Sequence, residues 1–337
     1  MSWITVNDDE EKMWDVSPIG GELYQGLAGI SLFYHYLYKL TNEKKYKKYR
    51  DYSYNMSMKI GMTSKYNSGL QGFASLLYPS LKVLESGPGR KYKQGIQEVY
   101  TFLDKSIDVY SGVDWMHGKS SVIELLMLAY EYNKDEEYLY LATRYAQRVL
   151  NEIKKTNIIS GLGGLSHGYS GLATTFTKIG YLTKREDLLD FGLDMLSKDQ
   201  QLFDEKVNGW KDLRKEDMSP SHYWCHGSVG IGLSRLKMIK YLDDVNLGLL
   251  KDIKLAKNAL DKLDKPLNDD CLCHGNMGIA DFYLELYLYT NKTEHYEKAL
   301  SIGQYVLKNK KENKFNIVEF DGFLPIGLFK GLAGIGY

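Results

Sequence analysis

A short signature, Gly-x-x-Gly, returns seven times along the 337-residue chain and constrains its fold more than any other feature. Its first glycine recurs every 43 to 59 residues, and a full apolar segment with helical periodicity follows each of the first six copies. One Gly-x-x-Gly carries almost no information, whereas regular recurrence predicts repeating units that stack on one another. The copies begin at Gly26, Gly69, Gly118, Gly168, Gly227, Gly275 and Gly331.

Two kinds of helix are predicted to alternate in this repeat. The segments after the signatures are apolar around much of their circumference, which is typical of helices buried on more than one side. The segments between them have lysine- and glutamate-rich faces and predict solvent-facing helices. Pro79 is expected to kink or break the second apolar helix. The predicted inner helices are 30–40, 73–84, 122–132, 172–182, 231–242 and 279–289, and the outer ones are 43–60, 91–109, 136–155, 186–200, 244–263 and 294–310.

Stacked pairs of such helices form either an open solenoid or a closed ring. In a ring the apolar helices lie inside, and the signatures lie at their N-termini, where glycine lets neighbouring backbones approach. For most of these glycines we expect only a structural role, in packing and turn formation. The third signature carries Ser121 in place of its last glycine, which we expect to weaken it.

The class indicated is all-α, because β-branched runs with period two are absent. We expect residues 1–20 to form a poorly ordered lead-in and residues 21–337 to form a single domain. The chain stops three residues after the seventh signature ends, so we expect a fragment or excised domain that is truncated at its C-terminus.

Charge and cysteine content narrow the possible partners and compartment. Lysine plus arginine number 43, as do aspartate plus glutamate, so no global field favours nucleic acid or an anionic membrane. Three cysteines argue against a disulfide framework. The start lacks the features of a signal peptide, and no apolar run approaches the roughly 18 residues of a membrane span. We therefore expect a soluble cytoplasmic protein without a nucleic-acid partner or membrane span.

Residues at equivalent repeat positions lie at the same height in a ring. Cysteine stands two residues before the first glycine of two adjacent signatures, at Cys225 and Cys273, so these thiols are expected to lie close enough to share a metal. Two thiols and an imidazole suit Zn²⁺ and leave one tetrahedral position open. Cys271 is a further possible ligand without a counterpart in the other repeat. Histidine directly precedes the first glycine in four consecutive repeats, at His117, His167, His226 and His274.

The spacing does not choose between His226 and His274 as the third ligand. Asp114 lies three residues before His117, where a carboxylate would orient a histidine, hold a proton or cap the following helix. The polar loop 204–223 makes the longest interval, and we expect it to overhang the site and help bind substrate. That loop contains Trp210, Arg214, Ser219, Pro220 and His222. His222, together with His35 and His295, is expected to serve only local contacts.

The motifs Trp224-Cys225-His226-Gly227 and Cys273-His274-Gly275 resemble those of the lanthionine synthetase C-like cyclases. So do His167-Gly-x-Ser-Gly and the Gly-Leu-Ala-Gly near both ends of the chain. The resemblance runs from about residue 21 to residue 337. It is strongest to the C-terminal cyclase domain of class II (LanM-type) lanthipeptide synthetases, in which a separate N-terminal domain, not present here, dehydrates serine and threonine.

This resemblance implies a double α-toroid of about seven inner and six to seven outer helices. It also implies Zn²⁺ held by Cys225, Cys273 and His274, with water or a substrate thiol in the fourth position. His167 and Asp114 are implied as active-site residues.

His226 is a third catalytic candidate. Standalone members of the family often carry arginine at the position of Ser221 and tyrosine at the position of His226. In the bifunctional class, the second of these differences is usual. Because of both differences, the acid–base roles of residues in standalone members need not apply one to one to the residues of this chain.

The implied activity is the addition of cysteine thiols of a dehydrated precursor peptide, leader plus core, to dehydroalanine or dehydrobutyrine, with thioether rings as products. Zinc would favour the thiolate, and His167 is the candidate acid that protonates the enolate. A dehydratase domain or partner would supply the substrate.

Two other functions remain open from the sequence. One is a structural-zinc toroid that binds peptides without catalysis, with Cys271 or His226 as a fourth ligand. The other is a helical-toroid carbohydrate enzyme, which needs two carboxylates, whereas only Asp114 is expected near the rim.

Overall fold

Thirteen α-helices form two concentric layers in a computed structural model of the chain, in which residues 4–8, 14–62, 67–109, 111–156, 161–243, 247–310, 315–317 and 324–337 are described. The inner helices are α1 (Leu27–Thr41), α3 (Leu77–Glu85), α5 (Lys119–Asn133), α7 (Tyr169–Thr183), α9 (Ser228–Met238), α11 (Asn276–Thr290) and α13 (Leu332–Gly336). The outer helices are α2 (Lys44–Gly61), α4 (Arg90–Lys105), α6 (Glu136–Thr156), α8 (Glu186–Gln200), α10 (Leu249–Asp261) and α12 (Thr293–Lys308).

The inner layer closes into a ring. Each of the inner helices from α1 to α9 packs on the next one, and α1 packs on α13. Each outer helix packs on the inner helix before it in the chain. The prediction of a double α-toroid rather than an open solenoid is therefore confirmed, with seven inner and six outer helices in the described residues. Parts of two predicted segments lie outside the described residues. They are residues 1–3 and 9–13 of the predicted lead-in and residues 244–246 of the predicted outer helix 244–263.

Burial follows the predicted division between the two layers. Every residue of α7 from Ser170 to Gly180 is buried, whereas α12 buries only His295, Ala299 and Val306. The segment that contains Pro79 is split into a 3-10 helix, Phe73–Leu76, and α3. Pro79 is the third residue of α3, where a missing N–H costs no bond within the helix, so the predicted break lies just before it.

Two short hairpins accompany the helices. Strands β1 (Ile4–Asp8) and β2 (Trp14–Pro18) pair antiparallel, so the prediction of a poorly ordered lead-in is wrong for these residues. Each strand alternates apolar and polar residues over its first four positions, a short period-two pattern that the sequence analysis overlooked. Strands β3 (Phe203–Asp204) and β4 (Gly209–Trp210) pair at the start of the long polar loop. Among the described residues, no helix combines the length and apolar character that a bilayer crossing requires.

Hydrogen bonds join the segments that precede the inner helices into a continuous circle, which we call the rim belt. Its residues lie mostly two or three positions before the first glycine of each signature, which supports the prediction that equivalent positions share one height. The links are Tyr24 N to Leu70 O (3.1 Å), Ser68 Oγ to Met116 O (2.6 Å), Met116 N to Ser166 O (2.9 Å), Ser166 N to Cys225 O (2.9 Å), Trp224 N to Cys273 O (3.0 Å), Cys273 N to Phe329 O (2.9 Å) and Phe329 N to Tyr24 O (2.9 Å).

The last glycine of five signatures packs against the rim belt of a neighbouring repeat. A Cβ on Gly171 would overlap the carbonyl oxygen of Leu165 and lie 2.9 Å from Cβ of Trp115. Ser121 departs from this pattern, and its Oγ accepts a hydrogen bond from the backbone N–H of Gly69 at 2.8 Å. The hydroxyl of Ser121 thus adds a hydrogen bond between the second and third repeats.

Candidate metal centre

Cys225, Cys273 and His274 converge at the rim, where the loops before α9 and α11 meet. Their ligand atoms all lie within 4.8 Å of one another, and both cysteine side chains are buried. The backbone N–H of Trp224 donates to the carbonyl oxygen of Cys273 at 3.0 Å, which holds the two loops side by side. The two thiols that the repeat spacing paired are thus brought together with one of the two candidate histidines.

The donor set fits a zinc ion. Ligands at zinc bond lengths in a tetrahedron lie roughly 3.3 to 3.8 Å from one another, so side-chain adjustments within this group suffice. Burial raises the pKa of the Cys273 thiol well above its usual value. Such a buried thiol becomes a thiolate only when a cation stands next to it. Three converging side chains in the described residues also leave one tetrahedral position for a further ligand.

Tyr24, from the first repeat, supports this group. Its hydroxyl donates to Sγ of Cys273 at 2.9 Å, and its ring stacks on that of Phe329 at 5.0 Å between centroids. Burial raises the pKa of Tyr24, so the hydroxyl keeps its proton and remains a donor. Sequence reasoning missed this contact, although Tyr24 occupies the repeat position of the two cysteines.

His226 lies beside the converging group rather than within it. Its Nδ1 is 2.9 Å from Sγ of Cys225, and its Nε2 is 3.6 Å from Oδ2 of Asp212. Burial lowers the pKa of His226 to about 3, so the imidazole is neutral at pH 7. Between the two histidines that spacing could not separate, it is His274 that joins both thiols.

Asp212 comes from the long polar loop and was missed by the sequence analysis. Burial favours its neutral form, but hydrogen bonds from Arg214 and Ser221 outweigh this and hold its pKa at about 2. The Oγ of Ser221 donates at 2.7 Å and Nε of Arg214 at 2.9 Å. The loop therefore reaches the site through a carboxylate that faces His226, and its predicted role in substrate binding stays a prediction.

Cys271 supports His274 and lies outside the converging group. Its Sγ accepts a hydrogen bond from the backbone N–H of His274 at 3.4 Å. Burial raises its pKa, so it is a neutral thiol. The sequence alternative of Cys271 as a third ligand gains no support from this arrangement.

Asp114 and His167 are joined at a second place on the rim. Nδ1 of His167 lies 2.8 Å from Oδ2 of Asp114. The other carboxylate oxygen accepts the backbone N–H of His117 at 2.7 Å. Asp114 thus contacts one histidine side chain and closes the turn before α5. Its bond to the N–H of His117 lies outside α5, so it does not cap that helix, and its role in holding a proton stays a prediction.

A buried ionic network anchors the loop that carries His167. Oδ1 of Asp199 accepts the backbone N–H of Gly164 at 3.1 Å, and Oδ2 accepts the hydroxyl of Ser170 at 2.7 Å. Arg235 donates to the same Oδ2 at 2.6 Å and to Oδ2 of Asp252 at 2.9 Å. Arg235 and Asp199 are fully buried, so this network fixes the rim from within the protein.

The remaining histidines make local contacts, as predicted. His35 lies 3.3 Å from Oγ of Ser86, and Nδ1 of His222 lies 3.2 Å from Oγ of Ser228. His295 packs against the ring of Tyr283.

The lumen of the toroid contains a cavity of about 440 Å³ that is separate from this group. Charged side chains of the inner helices, such as Lys178 and Glu124, line part of it. The rim belt supplies an apolar wall of large side chains three residues before the signatures, whereas Cys225, Cys273 and His274 do not line it. These apolar residues are Leu23, Trp115, Leu165, Trp224, Leu272 and Leu328.

Fold and side chains together define an α-toroid protein with a Cys2His group at its rim. Comparison with known proteins agrees, because the model of the family described as lanthionine synthetase C-like protein matches residues 17–337. The chain belongs to this family.

Two relatives illustrate the similarity. The lacticin 481/lactococcin biosynthesis protein LcnDR2 of Lactococcus lactis subsp. lactis is 26% identical over 357 residues, which cover 100% of this chain and 37% of that protein. This chain therefore spans little more than a third of that relative's length. The solved structure of nisin cyclase is 19% identical and has a TM-score of 0.71, with 94% of this chain and 86% of that chain covered. At this identity, the structural match shows a shared fold.

Proposed function

We propose that this chain is a zinc-dependent lanthipeptide cyclase. It would join cysteine thiols of a dehydrated precursor peptide to dehydroalanine or dehydrobutyrine and so form lanthionine and methyllanthionine rings. The observation that carries this proposal is the convergence of Cys225, Cys273 and His274 at the rim in a chain of this family. The names of the two relatives, a lacticin 481 biosynthesis protein and a nisin cyclase, support the same reaction class.

The three converging side chains would hold the zinc ion. When bound there, zinc would accept a substrate thiol in the open position and favour its thiolate form. Tyr24 would donate to Cys273 and moderate the negative charge of a ligand set with two thiolates. His226 has a positioning role in this scheme, because its Nδ1 contacts Sγ of Cys225.

His167 would move the proton. Addition of the thiolate to the β-carbon forms the C–S bond and shifts the alkene electron pair into an enolate, which must gain a proton at its α-carbon. The substrate thiol loses one proton, so one imidazole that accepts it and returns it to carbon balances the reaction. Asp114, 2.8 Å from Nδ1 of His167, would hold the ring in place.

The substrate would be a precursor peptide with leader and core, after a dehydratase domain or partner has acted on it. The matched relative is much longer than this chain, which leaves room for such a domain in that protein. Cys225, Cys271 and Cys273 are all unpaired thiols, which suits the reducing cytoplasm.

A dehydrated precursor peptide tests the proposal directly. We expect the protein with one equivalent of zinc to consume the free thiols of the peptide at constant peptide mass. A chelator should stop this, and Cys273→Ala should lose both zinc and activity. His167→Asn should keep zinc but cyclise roughly a hundredfold or more slowly, the range for loss of a general acid.

Cys271→Ala is the matched control, because it removes a buried thiol outside the converging group. It should retain one equivalent of zinc. Full thiol consumption by a metal-free protein would contradict the mechanism. A bound zinc that never admits a thiol would instead indicate a structural-zinc toroid that binds peptides without chemistry.

A further inference from the structure

Asp114, His117 and His167 form a second group of metal-binding side chains, of which the proposed reaction uses only two. Their ligand atoms lie within 4.8 Å of one another, as do those of the Cys2His group. His117 has no part in the proton transfer proposed above. Its imidazole nevertheless packs beside that of His167, with 5.0 Å between the ring centroids.

The carboxylate of Asp114 is held between the two imidazoles. Its Oδ1 accepts the backbone N–H of His117 at 2.7 Å, which leaves Oδ2 directed at the rings. Oδ2 lies 2.8 Å from Nδ1 of His167 and 4.0 Å from Nδ1 of His117. A cation shared by the three side chains therefore needs small side-chain adjustments and no change of backbone.

The two loops that carry this group are fixed to each other. The backbone N–H groups of Trp115 and Met116 both donate to the carbonyl oxygen of Ser166, at 3.0 and 2.9 Å. Asp199 anchors the second loop through Gly164 and Ser170. Such support lowers the cost of organising ligands when an ion binds.

The donor atoms have the chemistry of a catalytic-type metal site. Two imidazoles and one carboxylate bind Zn²⁺ in several enzymes and leave further positions for water. The side chains of Asp114, His117 and His167 are 25%, 54% and 33% exposed, so an ion reaches them from solvent.

We propose that Asp114, His117 and His167 bind a second divalent transition-metal ion, such as Zn²⁺, and that this ion inhibits the cyclase by occupying His167. A coordinated imidazole cannot exchange the proton that the enolate needs. The group lacks thiolates and is partly exposed, so it fills only after the Cys2His group and only when metal is in excess. The inhibition rests on the proposed function, whereas the binding of the second ion does not.

Cobalt titration of the metal-free protein tests the binding. The first equivalent of Co²⁺ should produce the near-ultraviolet charge-transfer band of thiolate ligands. The second should add visible d–d absorption without increasing that band. His117→Asn should lose the second equivalent and keep the first, whereas the control His222→Asn, which removes a nearby imidazole outside the group, should bind both. Saturation of the wild type at one equivalent, or two equivalents in His117→Asn, would overturn the proposal.

Zinc-dependent cyclisation tests the inhibition. Each protein is compared with itself at one equivalent and at excess zinc. The wild-type rate should fall roughly a hundredfold as the second site fills, the loss expected for a blocked general acid. The rate of His117→Asn should not show this fall between one equivalent and excess zinc. A filled second site with an unchanged rate would refute inhibition. If no sample cyclises the peptide, the proposed function fails, while the cobalt titration still decides whether the site exists.

Discussion

The hydroxyl of Tyr24 donates a hydrogen bond of 2.9 Å to Sγ of Cys273, although 249 residues separate them in the chain. The first and sixth repeats therefore meet at one sulfur atom. This contact depends on the closed ring, because the seventh repeat links the other two through Phe329.

Tyr24→Phe should weaken zinc binding by about tenfold, the lower end of the range for loss of a hydrogen bond to a metal ligand. The substitution keeps the ring that stacks on Phe329 and removes only the donor to Cys273. Competition with a chromophoric chelator measures the affinity. Tyr305→Phe, on the outer helix α12, is the control and should bind zinc as the wild type does. Equal affinity in both variants would show that the hydroxyl does not support the metal group.

Asp212 should make stability depend on pH in the acidic range. Its pKa in the folded protein is about 2, below the ordinary value of 3.8. A carboxyl group whose pKa is lowered by folding stabilises the protein above its unfolded pKa, and this contribution is lost as the pH falls through the folded value. The contribution of about 2 kcal/mol is thus complete above roughly pH 5 and declines as the pH falls from 4 towards 2.

Denaturant unfolding of the wild type and Asp212→Asn over this pH range measures the effect. The difference in free energy of unfolding should be largest near neutral pH and shrink steadily with acidification. A difference that stays constant from pH 6 to pH 3 would show that the charge of Asp212 does not contribute.

Removal of Arg235 should cost far more than removal of an exposed arginine. Arg235→Met leaves the carboxylate of Asp199 buried without its cation, a change that typically costs about 3 to 5 kcal/mol. Arg144→Met is the matched control, because the pair of Arg144 with Asp104 is 37% and 47% exposed and such pairs contribute at most about 1 kcal/mol. Chemical denaturation of the three proteins gives both values. Similar costs for the two variants would mean that the buried network does not stabilise the rim.

Two Gly→Ala substitutions should have opposite effects on stability. Gly171→Ala places a methyl group against the rim belt, 2.9 Å from Cβ of Trp115, and should destabilise the protein by about 1 to 3 kcal/mol. Gly303, inside α12, has no atom within 4 Å of an added Cβ. Gly303→Ala should therefore stabilise the protein by about 0.5 to 1 kcal/mol through helix propensity. Thermal unfolding compares the two, and destabilisation by both would remove the distinction between packing and propensity.

The proximity of Cys225 and Cys273 could be predicted because residues at equivalent positions of adjacent repeats lie side by side at the same height in a closed ring. The same reasoning could not separate His226 from His274, since both directly precede a signature glycine. Their side chains differ in surroundings that the repeat does not encode. His226 faces Asp212 from an irregular loop, whereas Cys271 holds the backbone of His274.

The two strands near the N-terminus show a different limit. Ile4 and Val6, like Trp14 and Val16, alternate with polar residues, but each pattern lasts only four residues. A helical repeat with seven copies is a much stronger signal than this short period-two pattern, so the sequence predicts a poorly ordered lead-in there. Short strands specify a hairpin only when they pair, and pairing is a property that neither segment reveals alone.

The closure of the rim belt has a consequence for biosynthesis. Cys273 receives a hydrogen bond from Tyr24 and donates one to Phe329, so its neighbours come from the first and the seventh repeats. A chain still on the ribosome can contain both cysteines and His274 and yet lack the segment that fastens them. The metal centre therefore acquires its full support only after the seventh repeat, with Phe329, has been synthesised and has left the exit tunnel.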